Sequence, residues 1–395
     1  MKIGLFTDSY PPYINGVATS VENLRNSLIK LGHTVYVVTV NDSLTNYNYD
    51  KNTKILRIPG IPTKIYNYRF SKIHSIKAMK IIKNWNLDII HSHTEFGIGI
   101  FARTISKKYK IALIHTYHTL YEDYTHYITR GHFDKFAKFL VKKFTKYYCE
   151  KTANRTIVPT DKIYKLFKEK YNINNDVSIV PSGINVDKFL KENISSKEIE
   201  ELKKKNKINK DDFVILFVGR LASEKNIEFL IKSQKKILEI AKKSSKLLIV
   251  GDGPDKERYI SMANSMNISE NVIFTGSVPQ EEIQKYYHIA NIFATASNTE
   301  TQGLTVVEAI ASSLIPLCIN DMAFLSFLPK EFIFRDEQDY IDKICYYIDN
   351  REKCKQNSKK LEKIVDKYSC DTYAINVLQI YDNVIKEYNK IKECK

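Results

Sequence analysis

Two cationic side chains, Arg220 and Lys225, follow the apolar run FVILFVG and precede a stretch with helical spacing. An arginine offers paired N–H donors and a lysine a compact charge, a combination that suits a diphosphate. The alternative for Lys225 is a solvated lysine at a helix start. A cation at a helix N-terminus opposes the helix dipole, however, and this favours a bound anion near Lys225.

Glu300 and Glu308 are two further candidates, one in a predicted loop and one about a turn into the helix that follows. Carboxylates accept hydrogen bonds from sugar hydroxyls. Glu308 lies in the apolar run TVVEAIA, where a carboxylate is usually paired or bound to a ligand. The alternative is an acidic residue at a helix start together with a surface glutamate.

Glycines at two other junctions between strands and helices could let a ligand approach the backbone. Asn15-Gly16 opens a predicted helix, whose N-terminus favours an anion, and Gly251-Asp252-Gly253-Pro254 follows a predicted strand. An ordinary turn explains either segment equally well when each is considered alone.

The histidines and cysteines carry no metal signature. His91, His93, His115 and His118 lie at the ends of predicted strands, and alternate residues of a strand face opposite ways. We therefore expect no three of them to converge on zinc. The six cysteines lack CxxC spacing, and no Asp-x-Asp stands where a metal could meet a diphosphate. We expect reduced thiols, no resident cofactor and no dedicated metal site, with Mg²⁺ at most a stimulating ion.

Positive charge is concentrated in the first half of the chain. Residues 1–190 contain 29 Lys+Arg against 14 Asp+Glu, whereas residues 191–395 contain 32 against 31. The excess predicts an anionic partner for the first half, either nucleic acid or an anionic membrane. A lysine-rich composition is the alternative, but it does not explain why the second half balances. Since no nucleic-acid-binding motif is recognisable, we predict a membrane surface and no nucleic acid.

Two stretches, 62–85 and 133–148, alternate lysines with aromatic and aliphatic residues, as helices in membrane interfaces do. For either stretch alone, a docked helix with a solvated basic face is the alternative. The predicted membrane-binding residues are Lys64, Arg69, Lys72, Lys77, Lys80 and Lys83.

Alternating strand and helix patterns must position these residues. Strands are predicted at 2–6, 34–40, 55–58, 87–91, 112–116 and 155–159, then at 213–218, 246–250, 272–275, 292–295 and 315–319. Short connections between alternating elements predict an α/β chain of two Rossmann-like, doubly wound domains facing a central cleft. We place the domains at 1–190 and 191–370, followed by an amphipathic helix over 371–395. No apolar run reaches the ~18 residues of a membrane span, and we expect no signal peptide.

The order of motifs resembles the family 4 retaining glycosyltransferases of the GT-B fold over nearly the whole chain. The most specific segments are E-x7-E at Glu300 and Glu308, G-R-x4-K at Gly219–Lys225, GDGP at 251–254, G-x-V-P at 276–279 and PSGI-x4-F at 181–189. The spellings TDSYPPYINGVATS, HSHTEFGIG, HTYHTLYEDYTHYI and TETQGLTVVEA look most like bacterial 1,2-diacylglycerol 3-glucosyltransferases. Many family members have E-G-F-G where this chain has Glu300-Thr301-Gln302-Gly303, and Asn where Ser182 stands.

The resemblance implies a role for each matching position. Arg220 and Lys225 would bind the diphosphate, Glu308 the ribose, and Glu300 the hydroxyls of the sugar. The backbone of Gly16 would approach the donor phosphate, and that of Val278 would hold the base. Backbone N–H groups of residues 302–304 (Gln302, Gly303 and Leu304) would contact the donor. The other donor-binding residues implied are Gly219, Gly251 and Gly253. His118 would line the reaction centre, and the C-terminal helix would cross back to the first domain.

The resemblance implies retaining transfer of a hexose, with UDP-glucose as the expected donor, to diacylglycerol at the inner face of the cell membrane. The implied enzyme is cytoplasmic and peripheral on that membrane, and its product is monoglucosyldiacylglycerol. Alternatives are a family 4 transferase for a cell-wall or phospholipid glycan acceptor, a sugar-nucleotide epimerase, and a non-enzymatic basic protein that binds nucleic acid.

Overall fold

The computed structural model describes residues 1–13, 15–62, 69–71, 75–124, 134–190, 192, 194–241 and 243–394. The chain divides into two compact units, Met1–Gly183 with Cys370–Lys395, and Ile184–Ser369. The division follows Gly183 rather than residue 190, because Ile184 and Phe189 belong to the hydrophobic core of the second unit. The roles assigned to the two domains stay predictions.

The first unit contains a mostly parallel sheet in the order β3-β4-β2-β1-β6-β7-β8-β9. Only β3 and β5 run antiparallel to their neighbour β4 among the described strands. The strands are β1 Lys2–Phe6, β2 Thr34–Asn41, β3 Asn48–Asp50, β4 Ile55–Pro62, β5 Arg69–Ser71, β6 Ile89–Ser92, β7 Ala112–Thr116, β8 Arg155–Val158 and β9 Val177–Ile179.

Apolar residues of several first-unit helices pack with those of the strands. The described helices within Met1–Gly183 are α1 Gly16–Lys30, α2 Ile76–Lys83, α3 Gly97–Tyr109, α4 Asp134–Lys151 and α5 Asp161–Lys165, with a π-helical turn at Leu166–Lys170 and a 3₁₀ turn at Tyr121–Tyr124. The start of α1 is capped because the Asn15 side chain accepts a hydrogen bond from the Ala18 N–H.

The C-terminal helix, Cys370–Glu393, belongs to the first unit. Its buried residues fall on one face, and they pack with the apolar face of α1, at Val21, Leu24 and Leu28. The amphipathic helix predicted at the end of the chain is confirmed. Its buried residues are Tyr373, Ala374, Val377, Ile380, Tyr381 and Val384.

The second unit is a parallel sheet in the order β12-β11-β10-β13-β14-β15. Its strands are β10 Phe213–Val218, β11 Ser245–Val250, β12 Val272–Gly276, β13 Ile292–Thr295, β14 Ile315–Ile319 and β15 Ile333–Phe334. Its helices are α6 Ser196–Lys205, α7 Ile227–Ile240, α8 Lys256–Ser265, α9 Ile283–Ile289, α10 Leu304–Ala311, α11 Met322–Leu325, α12 Glu337–Asp349, α13 Arg351–Ser358 and α14 Glu362–Val365.

Strand order indicates where each sheet binds ligands. β1 lies between β2 and β6, and β10 lies between β11 and β13, so the order reverses beside β1 and beside β10. Ligands of open α/β sheets bind outside the carboxyl ends of strands at such reversals. The prediction of two α/β, Rossmann-like parallel sheets is confirmed. In the second unit, the predicted donor-binding residues follow the carboxyl ends of β10, β11, β12 and β13.

Candidate functional site

Lys225 and Glu300 meet in the second unit, although they are far apart in sequence. Lys225 ends the 3₁₀ turn after β10, and Glu300 lies in the loop after β13, which pairs with β10. The Lys225 Nζ lies 2.5 Å from the Glu300 Oε1, and each side chain is 19 % exposed. The two residues predicted to hold different parts of a donor therefore bind each other in this structure.

The loops beside this ion pair are close-packed at glycine. A Cβ on Gly251 would lie 1.9 Å from the Gly219 carbonyl oxygen, and one on Gly253 would lie 2.3 Å from that of Leu221. Glycine is thus required at 251 and 253 by the packing of the protein's own backbone. Arg220 is half-buried and follows the carboxyl end of β10 by two residues.

Glu308 is paired with a tyrosine. It lies on α10, and its Oε2 accepts a hydrogen bond of 2.6 Å from the hydroxyl of Tyr287 on α9. Burial raises the pKa of Glu308 to about 7, although Tyr287 and Lys188 act in the opposite direction. Burial also raises the pKa of Tyr287, with the Glu308 charge as a second cause. The sequence indicated that Glu308 needs a partner, but Tyr287 was not predicted.

The start of α10 depends on Gly303. This residue has φ +79°, and a Cβ there would lie 2.6 Å from the Phe324 ring, so the turn into α10 favours glycine. Gln302 is buried beside it and Leu304 is the first helical residue. Val278 is half-buried and packs against the core of this unit.

Three histidines cluster in the first unit, although strand alternation gave no reason to expect it. The His93 Nδ1 lies 3.0 Å from the His118 Nε2, and the His91 and His93 ring centroids are 4.1 Å apart. The alternation argument failed because residues 91 and 93 are two apart and share a face, and His118 lies in the loop beyond β7. Within the described ranges, no group of His, Cys, Asp or Glu could hold a metal.

These histidines lie in surroundings that favour the neutral imidazole. His91 is satisfied by the hydroxyls of Tyr381, at 2.7 Å, and Thr116, at 2.6 Å. Burial lowers the pKa of His118 to about 3, with His115 as a second cause. Burial likewise lowers the pKa of His91 and His93. The cluster can exchange neutral hydrogen bonds but is a poor source of positive charge.

Glu95 is a buried carboxylate that motif reading did not single out. It is 1 % exposed; its Oε1 lies 3.0 Å from the His115 Nε2, and its Oε2 accepts from the Tyr121 hydroxyl. We call Glu95, His115 and Tyr121, together with the histidines 91, 93 and 118, the first-unit network. The sequence signal was a glutamate within the HSHTEFG segment at the end of β6.

Gly16 begins α1, and the Asp8 side chain contacts the N-terminus of another helix of the first unit, α3. The Asp8 carboxylate accepts from the Thr94 hydroxyl at 2.6 Å and from the Ile98 N–H at 2.9 Å, at the start of α3. Burial raises the pKa of Asp8 to about 6 against these hydrogen bonds. Gly16 is exposed, and a Cβ there would meet no atom within 4 Å.

The predicted membrane-binding stretch is not one helix. Arg69 lies in β5 and donates to the Gly60 carbonyl at 2.8 Å, so its guanidinium is engaged within the protein. Lys77, Lys80 and Lys83 are exposed on α2, whose other face is buried. Lys64 and Lys72 lie outside the described residues. Among the described helices, none is both long and apolar enough to cross a membrane.

Two family models together match most of the chain. The one described as Glycosyltransferase Family 4 matches residues 14–188, and the one described as Glycosyl transferases group 1 matches residues 198–363. The alpha-monoglucosyldiacylglycerol synthase of Acholeplasma laidlawii is 35 % identical, with 99 % of each chain covered. The chain is a family 4 glycosyltransferase.

Other relatives agree with this family assignment. The Streptococcus pneumoniae protein of the same name as the Acholeplasma one is 35 % identical over 85 % of this chain and 74 % of its own. The solved structure of sucrose-phosphate synthase from Thermosynechococcus elongatus is similar with a TM-score of 0.78 at 18 % identity, covering 98 % of this glycosyltransferase and 99 % of that chain. Anabaena HepE in complex with UDP gives 0.75 at 13 % identity, with 97 % and 100 % covered. The fold of this glycosyltransferase is GT-B.

Proposed function

We propose that this glycosyltransferase transfers glucose from UDP-glucose to 1,2-diacylglycerol, with retention at the anomeric carbon, and forms monoglucosyldiacylglycerol. The observation that carries the proposal is the 35 % identity, over 99 % of both chains, with a protein named alpha-monoglucosyldiacylglycerol synthase. The basic first half of the chain is consistent with a lipid acceptor, as the name of that relative implies, in an anionic membrane.

The Lys225–Glu300 pair suggests how the donor would enter. Both side chains are partly exposed, so solvent weakens the attraction between them relative to a fully buried pair. Donor binding would replace the pair with two stronger contacts, from Lys225 to the diphosphate and from Glu300 to the sugar hydroxyls. Arg220 would share the diphosphate charge, which grows as the bond to the sugar breaks.

His118 would act in this reaction as a neutral hydrogen-bonding group. A histidine whose pKa is lowered to about 3 is a weak base and carries no charge near neutral pH. We therefore assign deprotonation of the acceptor hydroxyl to the departing diphosphate, on the face of the sugar that the diphosphate leaves. Attack on that same face accounts for retention.

The proposed place of action is the inner membrane surface, with the chain bound peripherally. The charge difference between the two halves supports this, and so do the exposed lysines of α2. Each lysine near an anionic surface contributes about 1 kcal/mol of attraction. The proposal predicts sedimentation with anionic vesicles and much less with neutral ones.

Transfer from labelled UDP-glucose to diacylglycerol in anionic vesicles tests the proposal. We expect a single glycolipid product with α configuration, identified by mass spectrometry and by the NMR coupling of the anomeric proton. A β product would contradict retention. Absence of a lipid product, with hydrolysis of UDP-glucose intact, would contradict the acceptor but leave the donor assignment standing.

A second candidate donor follows from another relative. The sulfoquinovosyl transferase SQD2 of Arabidopsis thaliana is 25 % identical over 93 % of this chain and 70 % of its own. UDP-sulfoquinovose should therefore be a separate arm of the assay. Exclusive use of it would replace glucose in the proposal without changing the site. Cell-wall and phospholipid acceptors should be tested as further arms of the same assay.

A further inference from the structure

The first half of α4 presents large apolar side chains to solvent. Phe136, Phe139 and Leu140 are 61 %, 52 % and 50 % exposed, and they fall at helical spacing on neighbouring positions. Single exposed apolar residues are ordinary, whereas a contiguous group of them marks a binding surface. The second half of the same helix is anchored, because Thr145, Tyr148 and Cys149 are buried.

A groove opens beside this exposed group. It has a volume of about 190 Å³ and is lined by Phe96, Tyr121, Leu140, Val141 and Phe144. The Phe96 ring stacks on Phe144 with centroids 5.5 Å apart and meets the edge of Tyr121 at 5.2 Å. The groove is therefore walled by rings and aliphatic side chains that continue onto the exposed surface at Leu140.

The one polar side-chain atom among these lining residues is already used by the protein. The Tyr121 hydroxyl donates to Glu95, which in turn contacts His115. A charged or hydroxylated headgroup would gain little among such walls, whereas a hydrocarbon segment would lose no hydrogen bonds. Apolar cavities of about 150 Å³ bind benzene, so this groove has room for several methylene groups but not for a whole lipid.

The positive charge of α4 indicates which environment surrounds a hydrocarbon segment in the groove. The helix carries lysines 135, 138, 142, 143 and 146 around the exposed apolar group. The Lys143 Nζ lies 5.5 Å from the Phe139 ring centroid, and Arg103 lies 5.1 Å from the Tyr147 ring. Long cationic side chains over exposed rings allow the rings to enter a hydrocarbon layer while the charges stay among anionic headgroups.

We propose that the groove beside α4 holds a segment of an acyl chain of the lipid acceptor, drawn from an anionic bilayer into which the exposed face of α4 inserts. The identity of that acceptor as diacylglycerol rests on the proposed function. The groove would supply acceptor binding through hydrocarbon contacts alone. Tyr121, which lines the groove, is also a member of the first-unit network.

The first test measures contact with acyl chains directly. Leu140→Trp adds a second tryptophan to a chain whose own Trp85 is buried. In anionic vesicles with bromine on the acyl chains, we expect the added emission to be quenched by more than half relative to vesicles without bromine. Leu44→Trp, at a position 57 % exposed, is the matched control and should stay unquenched. Absent quenching at 140, or equal quenching at both positions, would overturn the proposal.

The second test measures the effect on the acceptor. Leu140→Gln should raise the KM for long-chain diacylglycerol about tenfold, since burial of a leucine side chain in hydrocarbon is lost. The KM for UDP-glucose should be unchanged, Leu140→Met should restore the acceptor KM, and Leu44→Gln should have no effect. With diacylglycerols of very short chains the penalty should disappear. An equal penalty for short and long chains would show that the groove does not hold the acyl chain.

The two tests separate this proposal from the proposed function. If the wild-type protein glucosylates another lipid but the added tryptophan is quenched, the groove assignment stands and the acceptor changes. If diacylglycerol is glucosylated and neither test gives the expected result, the groove assignment falls alone. The purified vesicles contain no other protein. If α4 binds a protein partner rather than lipid, the tryptophan at position 140 should therefore show no quenching.

Discussion

The polar residues at the carboxyl ends of β6 and β7 are bonded to one another in the interior, whereas those at the ends of β10 and β13 form an ion pair that solvent still reaches. Glu95 and His115 are 1 % and 0 % exposed, and Lys225 and Glu300 are 19 % exposed each. When one member of a buried pair is removed, the other is left with neither a partner nor water to bond with. A partly exposed pair, by contrast, can be replaced by contacts with a ligand at small cost. The first-unit network therefore fixes geometry, and the Lys225–Glu300 pair holds charge ready for a donor.

Glu95→Ala should give the largest effect on stability. It leaves His115 and Tyr121 without their common acceptor, and we expect the free energy of unfolding to fall by about 1–3 kcal/mol for each buried polar group left unsatisfied. The measurement is urea unfolding followed by tyrosine fluorescence and circular dichroism. Glu228→Ala removes a half-exposed carboxylate that pairs with Lys232 and should cost less than about 1 kcal/mol. Similar losses of unfolding free energy in both variants would contradict the proposed difference between buried and solvent-exposed polar contacts.

This contrast also explains what the sequence could and could not predict. Alternating apolar runs predicted both sheets, because parallel strands buried on both faces leave a strong signal. Lys225 and Glu308 became candidates because a cation at a helix start and a carboxylate inside an apolar run are locally unusual, and Glu300 because it precedes the helix that carries Glu308. Their roles stay predictions. The short strands β3, β5, β9 and β15 and the helix α12 carry too few residues or too mixed a pattern, and they were not predicted.

The missed site residues depend on contacts between segments distant in sequence. Glu95 is recognisable only through its contacts with His115 and Tyr121, and Tyr287 only through its hydrogen bond to Glu308 on another helix. Nothing within one motif indicates such a partner. The convergence of His91, His93 and His118 depends likewise on the register of β6 against β7, which pairs His91 with Ile114.

Lys225→Ala should lower kcat by a factor of about 10²–10³ while the protein stays folded, because a cation would be missing where the leaving diphosphate gains charge. Arg220→Ala should behave in the same way. Lys236→Ala is the matched control, since Lys236 also forms an ion pair of 2.5 Å, with Glu337, but lies on α7 at 52 % exposure. Steady-state kinetics with purified variants give the comparison. Full activity in both Arg220→Ala and Lys225→Ala would exclude the proposed diphosphate site.

The difference in folding stability between Glu308→Gln and the wild type should depend on pH. The folded pKa of Glu308 is about 7 against an ordinary value of 4.5, so the native state binds a proton that the unfolded state releases. Stability therefore falls as pH rises from 4.5 to 7, by on the order of 2 kcal/mol once partial exposure is allowed for. Glutamine does not titrate, so the variant should gain stability relative to the wild type over that range.

Urea midpoints of the wild type and Glu308→Gln between pH 4.5 and 8 test this sign. Asp8 also has a raised pKa, but it is present in both proteins and cancels in the difference. The control is Glu198→Gln, because the Lys285 hydrogen bond lowers the pKa of Glu198 to about 2, outside the range measured. A difference that is constant with pH would show that the Glu308 carboxylate is no harder to ionise in the folded protein than in the unfolded chain.

The smallest effects should come from two contacts between the C-terminal helix and the rest of the first unit. Tyr381→Phe removes a buried hydrogen bond to His91 and should cost about 1–2 kcal/mol. Asp371→Asn weakens the ion pair with Lys30, whose side chains are 51 % and 71 % exposed, and should cost less than about 0.5 kcal/mol. Added salt should remove the second loss but not the first, because it screens exposed charges and not a buried neutral contact. Equal losses at high salt would mean that burial does not decide which contacts hold this helix in place.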